Sequence, residues 1–334
     1  MEFGNIEHVI LMGNGLLTAN CAGQLEADGY DVLLAISPRH SQEIVTRDGD
    51  SLIEHLQKKN LKFVVSDDIN ADDRVTGIIS NTTLGLSLGS AWIFRQEFID
   101  LFGGNLLNMH GARLPQERGG GFSWQILREN HLGCCLIHQV DKGIDTGPIV
   151  KYKEYSFPMK CRIPQDYMDV AESEDFEFLL EFFREIKAKQ TFKNIEQLEY
   201  LSTYWPRLSS EHHGYIDWDW DIWQIERFIC AFDDPYKGAS TFANGHRVFL
   251  KDCFLHLSDG THHPFQSGII YRKSPTRLFV AGNGGSIVLG TVTTQDEASI
   301  FKNIRVGDRF HTPIDLLQKA KNFRAIYTPT GLLE

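Results

Sequence analysis

The amino-acid sequence predicts an α/β protein in two parts: a parallel sheet with helices on both faces, then a small β-barrel. Three observations predict this. Between residues 8 and 189, short apolar runs alternate with helical stretches, the signature of a parallel sheet wound with helices. After Trp205-Pro206 the texture changes to short strand-like runs bounded by Gly, Asn and Asp, which suits a small barrel. The length, 334 residues, exceeds what one small core usually organises. The boundary falls near 205, where Pro and Ser mark a connection, giving units 1–205 and 206–334.

Taken in order, His8-Val-Ile-Leu-Met12 reads as a buried strand, followed by Gly13-Asn-Gly15 and an apolar-periodic stretch to Leu25. Tyr30–Ile36 is a second strand, Ser51–Gln57 a short helix, Lys62–Val65 a third strand, Arg74–Ile79 a fourth and Gly104–His110 a fifth. Trp124–Glu129 reads as helix, Gly133–Val140 and Val150–Phe157 as strands. Glu172–Lys189 is an amphipathic helix with Phe176, Leu179, Leu180, Phe183 and Ile186 along one side. Its acidic run, Glu172 to Glu177, fits a solvated first turn, where negative charge suits the helix dipole. In the second part, Trp223–Phe232 is helical. Ala239–Phe242, Arg247–Leu250, Gly268–Tyr271, Leu278–Ala281 and Ser286–Leu289 are barrel strands. The first unit is thus Rossmann-like, and sheets of that kind bind ligands at the C-terminal ends of their strands.

The formal charge is −11. Residues 206–334 hold 14 basic and 14 acidic residues, so the whole excess lies in 1–205. A net negative surface repels phosphate backbones, which argues against nucleic acid and anionic membranes as partners. The six cysteines form no CxxC pair and read as reduced, buried small hydrophobes of a cytoplasmic protein. No metal is expected: His212-His213 and His262-His263 sit in polar loops without a third ligand nearby. Val9–Leu17 is too short to span a membrane, and no basic region precedes it. Gly13-Asn-Gly15 lacks the third glycine of a dinucleotide fingerprint, since Thr18 stands there, and reads as a tight turn without NAD.

The chemistry concentrates in Asn108-Met-His110-Gly-Ala-Arg-Leu-Pro115-Gln-Glu-Arg118-Gly-Gly-Gly121-Phe-Ser-Trp124. Period-2 geometry puts Asn108 and His110 on one side of a strand end. Downstream, His138-Gln-Val-Asp141-Lys-Gly-Ile-Asp145-Thr-Gly-Pro-Ile149 leaves another strand through glycines, and its loop can bring Asp145 to His110. An imidazole moves protons near neutral pH, a carboxylate orients it, and a carboxamide can donate to an oxyanion. The last effect is worth roughly 3–4 kcal/mol in well-studied cases. No activated Ser or Cys and no GxSxG elbow is present, so direct attack by a substrate nucleophile is expected.

These two segments resemble the formyltransferase family, whose pattern is Asn-x-His-x-Ser-Leu-Leu-Pro-x-x-Arg-Gly followed by Asp-x-Gly-x-Asp-x-Gly-Pro-Ile. Asn108, His110, Leu114, Pro115, Arg118, Gly119, Asp141, Gly143, Asp145, Gly147, Pro148 and Ile149 match it. Gly214-Tyr-Ile-Asp-Trp218, Asp234-Pro-Tyr-Lys-Gly-Ala239 and Val306-Gly-Asp-Arg-Phe310 are similar to segments of the family's second domain, so the resemblance covers nearly the whole chain. It implies a formyltransferase domain followed by an OB-like barrel, and N10-formyltetrahydrofolate as co-substrate. It further implies His110 as general base, Asn108 as oxyanion donor and Asp145 as the group that orients His110. The folate is implied to lie between Ala91-Trp92-Ile93 and Gln139-Val140-Asp141.

The chain departs from the pattern at Ala112-Arg113, Glu117 and the triple glycine 119–121, all on the acceptor side. The acceptor-binding candidates are Arg113, Arg118, Gly120 and Trp124. Arg118 either binds an acceptor phosphate or anchors its loop, and Trp124 is either a stacking platform or a core residue. Family acceptors include initiator methionyl-tRNA, glycinamide ribonucleotide and nucleotide-linked amino sugars. The acidic first unit and neutral second favour a small-molecule acceptor, a nucleotide-linked amino deoxysugar, over methionyl-tRNA. The expected oligomer is a homodimer, as among similar sugar-modifying enzymes.

Overall fold

The computed structural model describes residues 1–46 and 48–333. Seven strands make the first sheet: β1 (His8–Gly13), β2 (Asp31–Ile36), β3 (Phe63–Val65), β4 (Thr83–Leu88), β5 (Leu106–His110), β6 (Leu132–Gln139) and β7 (Ile149–Ser156). Their spatial order is β3-β2-β1-β4-β5-β6-β7. The first five are mutually parallel. The last two run antiparallel to their neighbours, so the sheet is mixed at the edge that carries the site.

The central strands are apolar on both faces because helices cover both faces. Val9, Ile10, Leu11 and Met12 are fully buried. On one face, Val9, Leu11, Leu107 and Met109 pack with α1 (Gly15–Ala27) and α5 (Pro164–Lys187). On the other, Ile10, Met12 and Leu106 pack with Phe98 and Phe102 at α3 (Gln96–Leu101). Helix α2 (Leu52–Lys58) starts at a reciprocal capping box between Ser51 and Glu54. Helix α4 (Phe122–Leu127) follows the triple glycine.

Two sequence expectations need correction. Arg74–Ile79 is not a strand. Asp73–Thr76 is one helical turn, capped by the Asp72 carboxylate on Arg74 N, with the Arg74 side chain closing on the same carboxylate. Local side-chain capping outweighs the strand preference of Val and Ile there, and the fourth strand is β4. Helix α5 begins at Pro164, eight residues before Glu172. Proline suits a first helical position, and Asp166 accepts from Arg162 N and Ile163 N. Its buried stripe is Phe178, Leu179, Phe182, Phe183 and Ile186, while Phe176 and Leu180 are half-buried.

The second sheet is antiparallel, with β8 (Ala239–Ala243), β9 (His246–His256), β10 (Ile270–Lys273), β11 (Leu278–Gly282), β12 (Gly285–Thr293) and β13 (Phe310–His311). Their order is β10-β11-β12-β9-β8-β13. Ile270 N bonds Asp308 O at 2.9 Å and Phe310 N bonds Gly268 O at 2.8 Å, so the two edges meet and the sheet curls on itself. Helix α6 (Ile222–Ala231), capped by Asp221, plugs this sheet with Ile222, Ile225 and Ile229. The same core takes in Ile126, Phe157, Cys161, Tyr167 and Ala171 from the first 205 residues. Among the described residues, no helix is long and apolar enough to cross a membrane.

Candidate active site

Strand β5 ends at His110, and its neighbour β6 runs antiparallel, so Asn108 stands opposite His138 and His110 opposite Leu136. Paired residues project to the same face, which gathers Asn108, His110 and His138 there. The loop after β6 turns back and places Asp145 against all three. Asp145 Oδ2 lies 3.7 Å from His110 Nδ1, and Oδ1 lies 3.6 Å from His138 Nε2 and 3.4 Å from Asn108 Nδ2.

Backbone geometry explains the glycines of this loop. Asp145 has φ +56, a left-handed conformation uncommon for a non-glycine residue. A Cβ on Gly147 would sit 2.0 Å from Gln139 O, so only glycine allows the return. Asp141 accepts from Gly143 N and Thr146 Oγ1 and so holds the turn.

The protons follow from the acceptors. His138 Nδ1 lies 2.8 Å from Gln139 O, so Nδ1 carries hydrogen and the neutral ring accepts at Nε2 from Asn108 Nδ2, 3.0 Å away. His110 Nε2 lies 2.9 Å from Glu117 O, a carbonyl that can only accept. The neutral ring then keeps its lone pair at Nδ1, facing Asp145. At 3.7 Å that contact is too long for a hydrogen bond, and charge attraction arises there once Nδ1 takes up a proton. Burial would push the Asp145 carboxyl up. His138, His110 and Arg118 outweigh burial and hold it below the usual carboxylate value.

Arg118 is the keystone of this loop. Its five N–H groups go to Asp145 O, to both carboxylate oxygens of Glu199, to Ser202 Oγ and to Gln197 Oε1. Gln197 also donates to Asp145 O and Gly147 O. Arg118 therefore anchors its loop and has no N–H left for a phosphate, which corrects that part of the sequence reading. Arg118 and Gly119 also form a short parallel ladder with Tyr204 and Trp205. Gly119 has φ +71, and a Cβ there would lie 2.4 Å from Trp205 O.

A cavity of about 680 Å³ opens over this group. Of the expected folate contacts, Trp92, Ile93, Val140 and Asp141 line it, whereas Ala91 and Gln139 do not. The Trp92 indole donates to Asp67 O and is 5% exposed, so it is largely wall, while Ile93 is 71% exposed. Gln139 is turned to Gly104 O and Asn194. Of the acceptor candidates, Gly120 lines the cavity, but Arg113 does not: it pairs with the buried Glu117, which Arg128 and Asn130 also approach. Trp124 donates to Pro206 O and packs on Trp205, facing a neighbouring groove.

The sequence reading did not single out His138, Gln197, Glu199 or Arg207. Finding His138 needed the β5–β6 register. Metal chemistry gains no support from the one ligand-rich group among the described residues, Glu226, Cys230 and Cys253. There the Arg162 guanidinium already bonds Glu226, Cys230 Sγ and Cys253 O. All six cysteines are free and buried.

Residues 209–301 match the formyl transferase C-terminal domain family. The methionyl-tRNA formyltransferase of Acetivibrio thermocellus is 26% identical over 207 residues, 60% of this chain and 63% of that protein. The corresponding enzyme of Francisella tularensis is matched over 45% of its length, so the chain spans about half to two thirds of these relatives. Among solved structures, the N-formyltransferase from Helicobacter canadensis, in complex with folinic acid and dTDP-3-aminofucose, superposes with a TM-score of 0.61. It is 17% identical over 86% of this chain and 99% of that one. The sugar 3N-formyl transferase WlaRD, crystallised in the presence of dTDP and 5-N-formyl-THF, gives 0.60 at 18% identity, over 86% and 98%. At these identities the likeness establishes the fold: the chain has the fold of these N-formyltransferases, and its residues 209–301 are similar to the formyl transferase C-terminal domain.

Proposed function

We propose that this protein transfers the formyl group of N10-formyltetrahydrofolate to the primary amine of a nucleotide-linked amino deoxysugar. The observation that carries the reading is the convergence of Asn108, His110 and Asp145 on one wall of the cavity. In this reading residues 1–205 are the catalytic domain and 206–334 the C-terminal domain of a cytoplasmic enzyme, acting as a homodimer. The donor fits the side lined by Leu88, Trp92, Ile93 and Val140, a partly apolar slot suited to a flat ring system.

His110 Nδ1 receives a proton from the attacking amine, and the Asp145 carboxylate stabilises the imidazolium so formed. Asn108 bonds His138 at 3.0 Å and Asp145 at 3.4 Å. The longer bond is the weaker, so that N–H is the one a developing oxyanion takes over. His138 fixes the carboxamide for that purpose.

The acceptor reading rests on a second groove, about 490 Å³, that shares Asn14, Gly119, Gly120, Phe122 and Arg207 with the catalytic cavity. It also contains Arg39 and Ser209. Guanidinium groups in a polar groove beside the site suit a diphosphate. The methionyl-tRNA reading is favoured by the Acetivibrio relative, and the −11 charge opposes it. Release of tetrahydrofolate, followed with nucleotide-linked amino sugars and with charged initiator tRNA, decides between them. Turnover with an amino sugar, abolished in His110→Ala, supports the proposal, and turnover with tRNA alone overturns it.

A further inference from the structure

One proton of the proposed reaction has no owner, and this inference rests on that reading. A primary amine enters at neutral pH as an ammonium ion. It must lose two protons to become an amide nitrogen. His110 takes one and can hand it to the leaving N10 nitrogen; Asn108 takes none, and Asp145 is held ionised by His138, His110 and Arg118.

Another carboxyl lines the same cavity. Asp175 lies in the middle of α5, on the opposite face of the sheet from His110. It approaches the thiol of Cys135, the residue next to Leu136, which pairs with His110. Leu17, Gly111, Phe122, Asn14 and Arg207 line the same cavity. Asp175 Oδ1 is buried with no hydrogen-bond partner. No ion pair reaches Asp175 among the described residues, and the nearby Lys153 is spent on Glu174. The titratable groups that face it are the Cys135 thiol and Tyr155 hydroxyl from the strands, with Glu172 and Glu174 on its own helix. A buried acceptor with no protein partner, on the lining of a substrate cavity, suits a donor from the ligand.

We propose that Asp175 receives the acceptor as its ammonium ion and takes the first proton, delivering a neutral amine to His110. R–NH3⁺ and the Asp175 carboxylate give R–NH2 and the Asp175 carboxylic acid. The amine nitrogen then bonds the formyl carbon, the bond from that carbon to N10 breaks, and His110 carries the second proton to N10. Asp175 returns its proton to solvent after product leaves. Burial raises the Asp175 carboxyl to about 7, which suits exchange with both an amine and water.

Asp175→Asn keeps the side-chain shape and removes an uncompensated buried charge, so the variant folds. With the wild-type acceptor as substrate, kcat at pH 7 should fall about 10²-fold or more while the KM for N10-formyltetrahydrofolate stays unchanged. The loss should shrink as pH rises past the amine's own pKa, because the amine then arrives neutral. A loss that is the same at every pH, or a raised acceptor KM with kcat intact, overturns the proposal in favour of simple acceptor binding. Absence of transfer by the wild-type protein to any amine sinks the functional reading itself, a failure visible without the variant.

Discussion

Asp145, on the loop after β6, and Asp175, on α5, line one cavity, both largely enclosed, and their surroundings drive them in opposite directions. Asp145 is met by His138, His110 and Arg118 and is held below the ordinary carboxylate value. Asp175 has the Cys135 thiol and two acidic neighbours beside it and no ion pair among the described residues, and burial lifts it to about 7. One cavity thus holds a charged orienting group and a carboxyl free to exchange its proton. Side-chain identity is the same; desolvation against compensation sets the role.

The largest test of that contrast is on the charged face. His110→Ala removes one of the neighbours that hold Asp145 down, and the proposed base. Tetrahydrofolate release should fall about 10³-fold, within the usual range for a positioned acid–base group. Thermal melting should barely move, because His110 makes a single hydrogen bond, to Glu117 O.

The next test contrasts the two carboxyls through pH. Asp175 binds a proton up to about 7 when folded, against 3.8 as its ordinary value. Between those values the native state holds more protons than the unfolded chain, so the Asp175 contribution declines as pH rises from about 4 to 7. Asp175→Asn abolishes that decline and should stabilise the protein by about 4 kcal/mol at pH 8 relative to pH 4, read from urea melts. Asp145 has the opposite sign: its contribution is present above its unfolded value and is lost as acid protonates it. Asp145→Asn should therefore destabilise at pH 7 and matter least in acid.

Arg118→Ala sharpens the comparison from outside. It deletes the anchor of the Asp145 backbone and should cost about 2–3 kcal/mol, below the usual figure for a broken buried pair because Glu199 is largely exposed. Its kcat should fall about tenfold with acceptor KM little changed, through displacement of Asp145. An acceptor KM that rises alone would instead mean a phosphate contact. The smallest effect belongs to the exposed Ile93. Ile93→Ala should raise the donor KM about fivefold, the value of about 1 kcal/mol of lost apolar contact, with stability unchanged.

Much of this was legible in the sequence. Asn108 and His110 were placed by strand period alone, and the glycine-rich run through Asp145 announced a loop that returns to them. The two-part architecture followed from the loss of helical signals after Trp205. The failures share a cause. Arg74–Ile79 was read by side-chain propensity, and a carboxylate cap decided otherwise. The start of α5 was read from its acidic run, although Pro164 was the true signal, so Asp175 passed for a solvated first-turn residue. His138 and Glu199 act through pairings 30 and 81 residues apart, which no local pattern encodes. Arg118 carried the motif's signal without its meaning, since a guanidinium serves phosphate and carboxylate equally well.

The core that Ile126, Phe157, Cys161, Tyr167 and Ala171 share with the curled sheet bears on how such proteins can be recombined. A chimera joined at residue 205 would graft a foreign second half onto five inherited side chains of this one's interior. The junction would also fall at the end of segment 197–205, whose Gln197, Glu199 and Ser202 hold Arg118 and, through it, Asp145. Acceptor preference is therefore not exchangeable by swapping second halves alone: the donor segment must bring its own residues 122–126 and 157–171, or the hybrid loses its packing.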